Sequence, residues 1–218
     1  MTTDRRDFLK QITLAAAAVR TSAIAAPSRA ERATAATWDM SWTEAVQRAD
    51  YKVAFDSPQL SDGAALDLAS GILADFTEVY GAGKDIRMVI IMRQLGHVMA
   101  FNDDLWDRYA IGEERKVNDP RTKLPARRNP WLTPNPGDAD WAIASKLDTM
   151  RARGAIFLVC NRASMNWAKG AADRTKKDLE EVQNDVRKGL VPGAILMPTG
   201  VFALARAQNA GCAYMKGS

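Results

Sequence analysis

The stretch "IRMVIIMR" at residues 86–93 decides the fold of this chain. Its residues are apolar almost without interruption, and they do not alternate with polar residues as in a half-exposed strand. An apolar run of this kind is typical of a strand that is buried on both faces. Such strands occur mainly in parallel sheets that carry helices on both sides, so the stretch predicts an α/β protein.

Four other short stretches are also predicted to be strands: "YKVAFDS" at 51–57, "AIFLVCN" at 155–161, "LVPGAILMP" at 190–198 and "CAYMK" at 212–216. Between them lie segments with the apolar spacing of helices, at residues 64–81, 139–154, 162–189 and 199–211. We expect a break at Gly170 in the third of these helical segments. Alternating strands and helices predict one doubly wound domain with a mainly parallel, five-stranded sheet.

Residues 112–138 interrupt this pattern with a segment that is rich in proline and charge, "EERKVNDPRTKLPARRNPWLTPNPGD" from residue 113 onward. Compact domains rarely contain a structureless loop of this length, so the segment is predicted to be functional or mobile. Trp131 is its apolar anchor. Two interpretations stay open: an insertion that lies on a neighbouring subunit or flaps over a site, and a mobile surface loop.

The chain begins with a pattern that is typical of export signals. "DRRDFLK" at residues 4–10 resembles the twin-arginine signal, although Asp4 stands where Ser or Thr is usual. A weakly apolar run and the A-x-A sequence Ala23-Ile24-Ala25 follow. Residues 1–25 are therefore predicted to be a signal peptide, which implies a periplasmic protein that meets the membrane only during export. The alternative is a surface amphipathic helix.

The polar, alanine-rich residues 26–50 are predicted to be a linker, and residues 51–218 the α/β domain that contains the insertion. Trp38 and Trp42 are four residues apart within this linker. Their spacing favours a short helix that packs both indole rings on the domain.

Composition excludes several classes of function. The formal net charge is +4, and residues 1–25 hold four basic and two acidic residues, so the rest carries only +2. Such a mild charge gives no reason to expect nucleic-acid binding. The chain has one histidine and two cysteines without a CxxC motif, which argues against a metal site or a catalytic triad. We predict neither a metal nor another cofactor.

Ligands of parallel α/β sheets bind beyond the carboxyl ends of the strands. The residues at or just after these ends are therefore candidate ligand-binding residues: Asp56, Ser57, Arg93, Gly96, Asn161, Arg162 and Thr199. An alternative role for Asp56, together with Asp62, is to cap the helix that follows the first strand.

Cys160 is the candidate residue with the clearest potential for chemical reactivity. It ends a predicted strand and precedes a helix, whose first amides favour a negative charge on sulfur. His97, at a helix start, is a candidate proton donor or tuning group for this cysteine. The alternatives are a buried structural cysteine and a structural histidine. A disulfide with Cys212 is disfavoured, because the two residues lie at opposite ends of their strands, although an oxidising compartment keeps that alternative open.

Two stretches of the C-terminal third resemble the DsrE/DsrF-like family, which includes the sulfur-relay TusD-type proteins: "FLVCNRASMNWAKG" at 157–170 and "LVPGAILMPTGVFALARAQNAGCAYMK" at 190–216. "YKVAFDS" and "MVIIMRQLGHVMAF" at 88–101 match more loosely. The resemblance implies a flavodoxin-like sandwich that forms homo-oligomers. In sulfur-relay members a cysteine at the end of the third strand accepts sulfur, and this role falls on Cys160. Two features depart from the family: Cys212 replaces an aromatic residue, and the insertion is longer than the usual connection.

Two hypotheses about function follow. The first is an exported DsrE-like protein that handles reduced sulfur, with Cys160 as persulfide acceptor and a sulfur-donor or acceptor protein as partner. The alternative is a non-catalytic, periplasmic small-ligand-binding or oligomeric assembly module of the same fold. It is favoured by the shortage of catalytic groups, and both hypotheses describe a carrier or binding protein better than a classical enzyme.

Overall fold

The five predicted strands all form. The computed structural model describes residues Trp38–Gly217 and contains β1 (Tyr51–Ser57), β2 (Ile86–Met92), β3 (Ile156–Cys160), β4 (Ala194–Met197) and β5 (Ala213–Lys216). Every neighbouring pair is parallel, and the order across the sheet is β4-β3-β2-β1-β5. The predicted α/β class and the five-stranded parallel sheet are confirmed, and β2 is the central strand.

Nine α-helices connect or flank these strands within the described residues: α1 (Trp42–Arg48), α2 (Ala64–Tyr80), α3 (Asp103–Arg108), α4 (Ile111–Arg115), α5 (Asp140–Ala144), α6 (Leu147–Ala152), α7 (Asn161–Thr175), α8 (Leu179–Lys188) and α9 (Gly200–Asn209). Two 3-10 helices, Ser61–Gly63 and Gln94–Ala100, follow β1 and β2. No helix between residues 38 and 217 is long and apolar enough to cross a membrane.

The sheet is the middle layer of a flavodoxin-like sandwich. Strands β1 to β4 step across the sheet in one direction, and right-handed crossovers place their connecting helices on one face. The last crossover returns to the far side of β1, so α9 covers the opposite face together with α1. Side chains of β2 alternate between the two cores: Ile90 belongs to the larger one, and Val89 and Ile91 to the smaller one.

The helix predicted at 139–154 is instead two helices, α5 and α6. The chain leaves helical geometry at Lys146, and the Leu147 N–H donates to the carbonyl of Trp131 at 2.9 Å. The Lys146 ammonium donates to the carbonyl of Pro130 at 2.7 Å. These bonds tie the break to the preceding loop, which is a tertiary contact that local sequence does not reveal.

The helical segment at 162–189 is broken, but not at Gly170, which lies inside α7. The break comes at Lys176, where φ is +57°, and α8 then starts from Asp178. The Asp178 carboxylate accepts the N–H groups of Glu180 and Glu181. The boundary is set by Asp178, because its carboxylate satisfies the free N–H groups in the first turn of α8.

The signal peptide and most of the predicted linker lie outside the described residues. A short helix forms as α1 and buries Trp42, but it begins at Trp42, so Trp38 lies outside it and is half-buried. The linker predicted to reach Asp50 therefore ends before α1, because Trp42 and Val46 are core residues.

The insertion at 112–138 packs on the core of its own chain. The buried Asn129 side chain donates to the carbonyls of Met99 and Phe101, both at 2.7 Å. The ring of Trp131 contacts Trp106 edge-on, with centroids 5.8 Å apart. The interpretation as a free surface loop is wrong, because buried hydrogen bonds and an indole anchor hold the segment in place. Contact with a neighbouring subunit stays a prediction.

Candidate functional site

A cavity of about 460 Å³ opens beyond the carboxyl ends of the strands. Three guanidinium groups line it, with one thiol, one imidazole and a set of apolar side chains: Arg93, Arg115, Arg162, Cys160, His97, Leu95, Trp167 and Val201. None of the described residues that line it is acidic. The cavity is therefore suited to a small anion with an apolar part.

Arg93 is positioned by Asp56 behind the cavity wall. Its Nε donates to one carboxylate oxygen at 2.6 Å and its Nη2 to the other at 2.8 Å. The hydrogen bond to Asp56 raises the pKa of Arg93 above its usual value, and burial opposes this increase. Asp56 is buried and lies outside the cavity lining, so it does not contact a ligand as predicted. Its role is instead to position Arg93. The capping role predicted for Asp56 and Asp62 is wrong, because the N-cap of α2 is Gly63 and no side chain caps the helix.

Removal of Asp56 is expected to destabilise the protein. The side chains of Asp56 and Arg93 are 6% and 20% exposed, so Asp56→Ala leaves a largely buried guanidinium without its partner. We expect a loss of about 2–3 kcal/mol in the free energy of unfolding by urea. The matched control is Asp85→Ala: Asp85 is 43% exposed and pairs with Arg87. Its loss is expected to stay below about 1 kcal/mol. Equal losses would contradict the positioning role.

Cys160 occupies the predicted place at the end of β3 and the start of α7. Its Sγ accepts a hydrogen bond from the N–H of Ala163 at 3.4 Å, so the thiol itself caps the helix. The residue is 7% exposed and lines the cavity. The sulfur therefore lies beside a backbone N–H donor, in a cavity that three guanidinium groups also line.

His97 lines the cavity as a potential hydrogen-bond acceptor rather than as a proton donor. Its Nδ1 donates to the carbonyl of Gln94, so the hydrogen is on Nδ1 and the lone pair on Nε2. The pKa of His97 is lowered to about 4, mainly by burial and also by the charge of Arg115, against the opposing effect of the bond to the Gln94 carbonyl. The imidazole is thus neutral near pH 7.

The structure brings some of the other predicted residues to the cavity and not the rest. Arg162 and Thr199 line it, and the Thr199 hydroxyl also caps α9. Ser57 is fully buried, and Gly96 packs on it so closely that an added Cβ would lie 2.4 Å from the Ser57 carbonyl oxygen. Asn161 is half-buried outside the lining. Ser57 and Gly96 therefore shape the turn beyond β2 rather than contact a ligand.

Arg115 and Trp167 are cavity residues that the sequence analysis missed. Trp167 lies seven residues after Cys160, two turns along the same face of α7. This spacing could have identified it as a neighbour of the site. Its Nε1 donates to Glu114 at 2.7 Å, and Arg174 pairs with the same carboxylate. Arg115 belongs to a charged run in which nothing distinguishes it from its neighbours.

The two cysteines are both free and buried. Strands β2 and β1 separate β3 from β5, which agrees with the argument against a disulfide. Burial raises the pKa of Cys212 to about 11, against the opposing charge of Lys52, so this thiol stays protonated. Within residues 38–217 no group of three or more His, Cys, Asp or Glu side chains could hold a metal.

Comparisons with known proteins add little. No family model and no curated protein matches the chain. A solved structure of a protein of unknown function, MTH1491 from Methanobacterium thermoautotrophicum, is similar at 14% identity and a TM-score of 0.41. The similarity covers 77% of this chain and 99% of that one.

Proposed function

We propose that this protein is an exported, DsrE-like sulfur carrier in which Cys160 accepts a sulfur atom as a persulfide. One observation carries the proposal: Cys160 lines a cavity with three guanidinium groups and, among the described lining residues, no carboxylate. Sulfane-sulfur donors such as polysulfides and thiosulfate are small anions, and this electrostatic environment attracts them. Cys212 offers no comparable site, because its buried thiol lies outside the cavity lining.

The proposed step needs no further oxidant. The Cys160 thiol first loses its proton to solvent, since the thiolate is the nucleophile. The thiolate then attacks the outer sulfur of the donor. A bond forms between Sγ and that sulfur, the donor's S–S bond breaks, and its electron pair leaves with the remaining anion. With thiosulfate the products are the Cys160 persulfide and sulfite. The persulfide anion would lie beside the N–H of Ala163, in the cavity that the guanidinium groups line.

Export, partners and oligomeric state belong to the same proposal. The twin-arginine-like residues 4–10 support a periplasmic location, and the resemblance to the DsrE/DsrF-like family supports a homo-oligomer that exchanges sulfur with a partner protein. In an oxidising compartment the low exposure of Cys160 would limit its loss to disulfides.

Intact mass spectrometry tests the sulfur step directly. The reduced full chain is incubated without oxygen with a polysulfide, and separately with thiosulfate. We expect the mass of one or more added sulfur atoms, and reductant should remove them. Cys160→Ser should abolish the adduct, whereas Cys212→Ser, the matched control, should keep it. No adduct with either donor, or an adduct that persists in Cys160→Ser, would contradict the proposal.

The exposed apolar residues at the cavity favour the second candidate, a non-catalytic assembly module. Leu95, Val201 and Phe202 are 44%, 65% and 41% exposed, and the first two line the cavity. Under this candidate they contact a second copy of the chain. Phe202→Glu should then lower the mass measured by light scattering, and Val79→Glu, at a 70% exposed residue outside the cavity lining, should not. An unchanged mass would count against it.

A further inference from the structure

Two residues of the cavity each contain a buried polar atom without a hydrogen-bond partner. Among the residues that the structure describes, neither Nε2 of His97 nor Nε of Arg115 has one. His97 is only 2% exposed, and the Arg115 side chain only 16%. An unsatisfied buried polar group costs about 1–3 kcal/mol, and groups of this kind in native proteins are usually satisfied by a water, an ion or a ligand.

The two atoms have opposite hydrogen-bonding roles. His97 Nε2 can only accept, because the ring hydrogen is committed to the Gln94 carbonyl through Nδ1. Arg115 Nε can only donate. Both side chains line the same cavity. A single ligand group that satisfies both must therefore carry a hydrogen-bond donor and an acceptor.

The other residues of the cavity wall favour a negatively charged ligand. Nη1 of Arg93 is free of the bidentate contact with Asp56, and Arg162 adds a second guanidinium group to the lining. The indole of Trp167 stands next to the imidazole, with ring centroids 6.4 Å apart, and limits the space beside it. The donor–acceptor group is thus expected to belong to an anion.

We infer that His97 and Arg115 form a subsite for a small oxyanion that retains a hydroxyl hydrogen, such as hydrogen phosphate or hydrogen sulfite. The hydroxyl donates to His97 Nε2, and a second oxygen accepts from Arg115 Nε. The neighbouring guanidinium groups neutralise the negative charge. The subsite discriminates by a single hydrogen: an oxyanion of the same shape without a hydroxyl leaves the imidazole lone pair opposite a negative oxygen.

This inference goes beyond the proposed sulfur transfer and does not need it. Neither atom of the subsite belongs to Cys160, and anion binding can be measured on the reduced native chain without any sulfur donor. Loss of sulfur loading and loss of anion binding can therefore be observed separately.

Hydrogen phosphate and sulfate are the probes, because both are tetrahedral anions and only phosphate keeps a hydroxyl near neutral pH. Affinities are measured by calorimetry on the reduced native full chain. We expect phosphate to bind at least about tenfold more tightly than sulfate, because a site built around a ligand hydroxyl rejects analogues without it. A third titration, with hydrogen sulfite, is compared with the phosphate titration and distinguishes a phosphorus from a sulfur oxyanion as the preferred ligand.

The single histidine of the chain supplies a second readout. In nitrogen-15 spectra of labelled histidine, phosphate should move the Nε2 resonance and sulfate should not. Arg115→Gln should lose the preference for phosphate, and Arg115→Lys, which keeps the charge, should lose most of it. Arg151→Gln, at an exposed arginine outside the cavity lining, should change nothing. Equal affinities for the two probes, no binding, or an Nε2 resonance already hydrogen-bonded in the free protein would each overturn the inference.

Discussion

Gly112→Ala is expected to destabilise the fold by about 3 kcal/mol or more. A Cβ at this residue would lie 2.2 Å from the carbonyl oxygen of Ala126 and 2.4 Å from its backbone nitrogen. Both contacts are with backbone, so no side-chain rotation relieves them. The insertion must shift instead, and this shift disturbs the buried bonds of Asn129. The measurement is the free energy of unfolding in urea.

Gly71→Ala is the matched control, with an effect of opposite sign. Gly71 lies inside α2, and an added Cβ would meet nothing within 4 Å. Alanine should therefore stabilise the helix by about 0.5–1 kcal/mol. A Gly112→Ala protein with native stability would mean that the insertion does not pack against α4 as described.

Acid is expected to destabilise this protein through His97 by about 3 kcal/mol. The unfolded chain binds a proton at this residue as the pH falls through about 6.5, whereas burial delays protonation of the folded chain until about pH 4. Between these values the unfolded state holds more protons, so the free energy of unfolding decreases as the pH falls. Below about pH 4 this contribution is lost completely, and above about pH 6.5 it is fully present.

His97→Asn isolates this effect, because the asparagine amide can still donate to the Gln94 carbonyl and does not titrate. The variant loses packing and is less stable overall, so the comparison concerns only the pH dependence. Carboxylates contribute equally to both proteins. Between about pH 6.5 and pH 4 the native protein should lose about 3 kcal/mol more than the variant. If the free energies of unfolding of the two proteins changed in parallel with pH, burial and the charge of Arg115 would not suppress the protonation of His97.

Strands β2 and β3 were predictable because each is a nearly continuous apolar run, which needs no tertiary information. The β2 run was predicted to within one residue, and the place of Cys160 followed from the end of the β3 run. The outer ends of the α5–α6 segment were predictable from its helical apolar spacing. The break between these helices was not, because Trp131 and Pro130 cause it from the insertion.

The cavity was only partly predictable. The rule for strand ends placed Arg93, Cys160, Arg162 and Thr199 at one edge of the sheet, and the structure brings all four to the cavity. The rule also selected Asp56, which faces Arg93 rather than the cavity. Arg115 reaches the site only because the insertion folds back on the core, and this long-range packing leaves no mark in the local sequence.

The position of β5 beside β1 ties the beginning of the domain to its end. Strand β1 pairs with β5 along Val53–Asp56, and the N–H of Gly217 donates to the Asp56 carbonyl at 2.8 Å. A ribosome-bound chain that lacks residues 213–217 thus has β1 as an open edge. The sheet is therefore complete only after these residues have been synthesised.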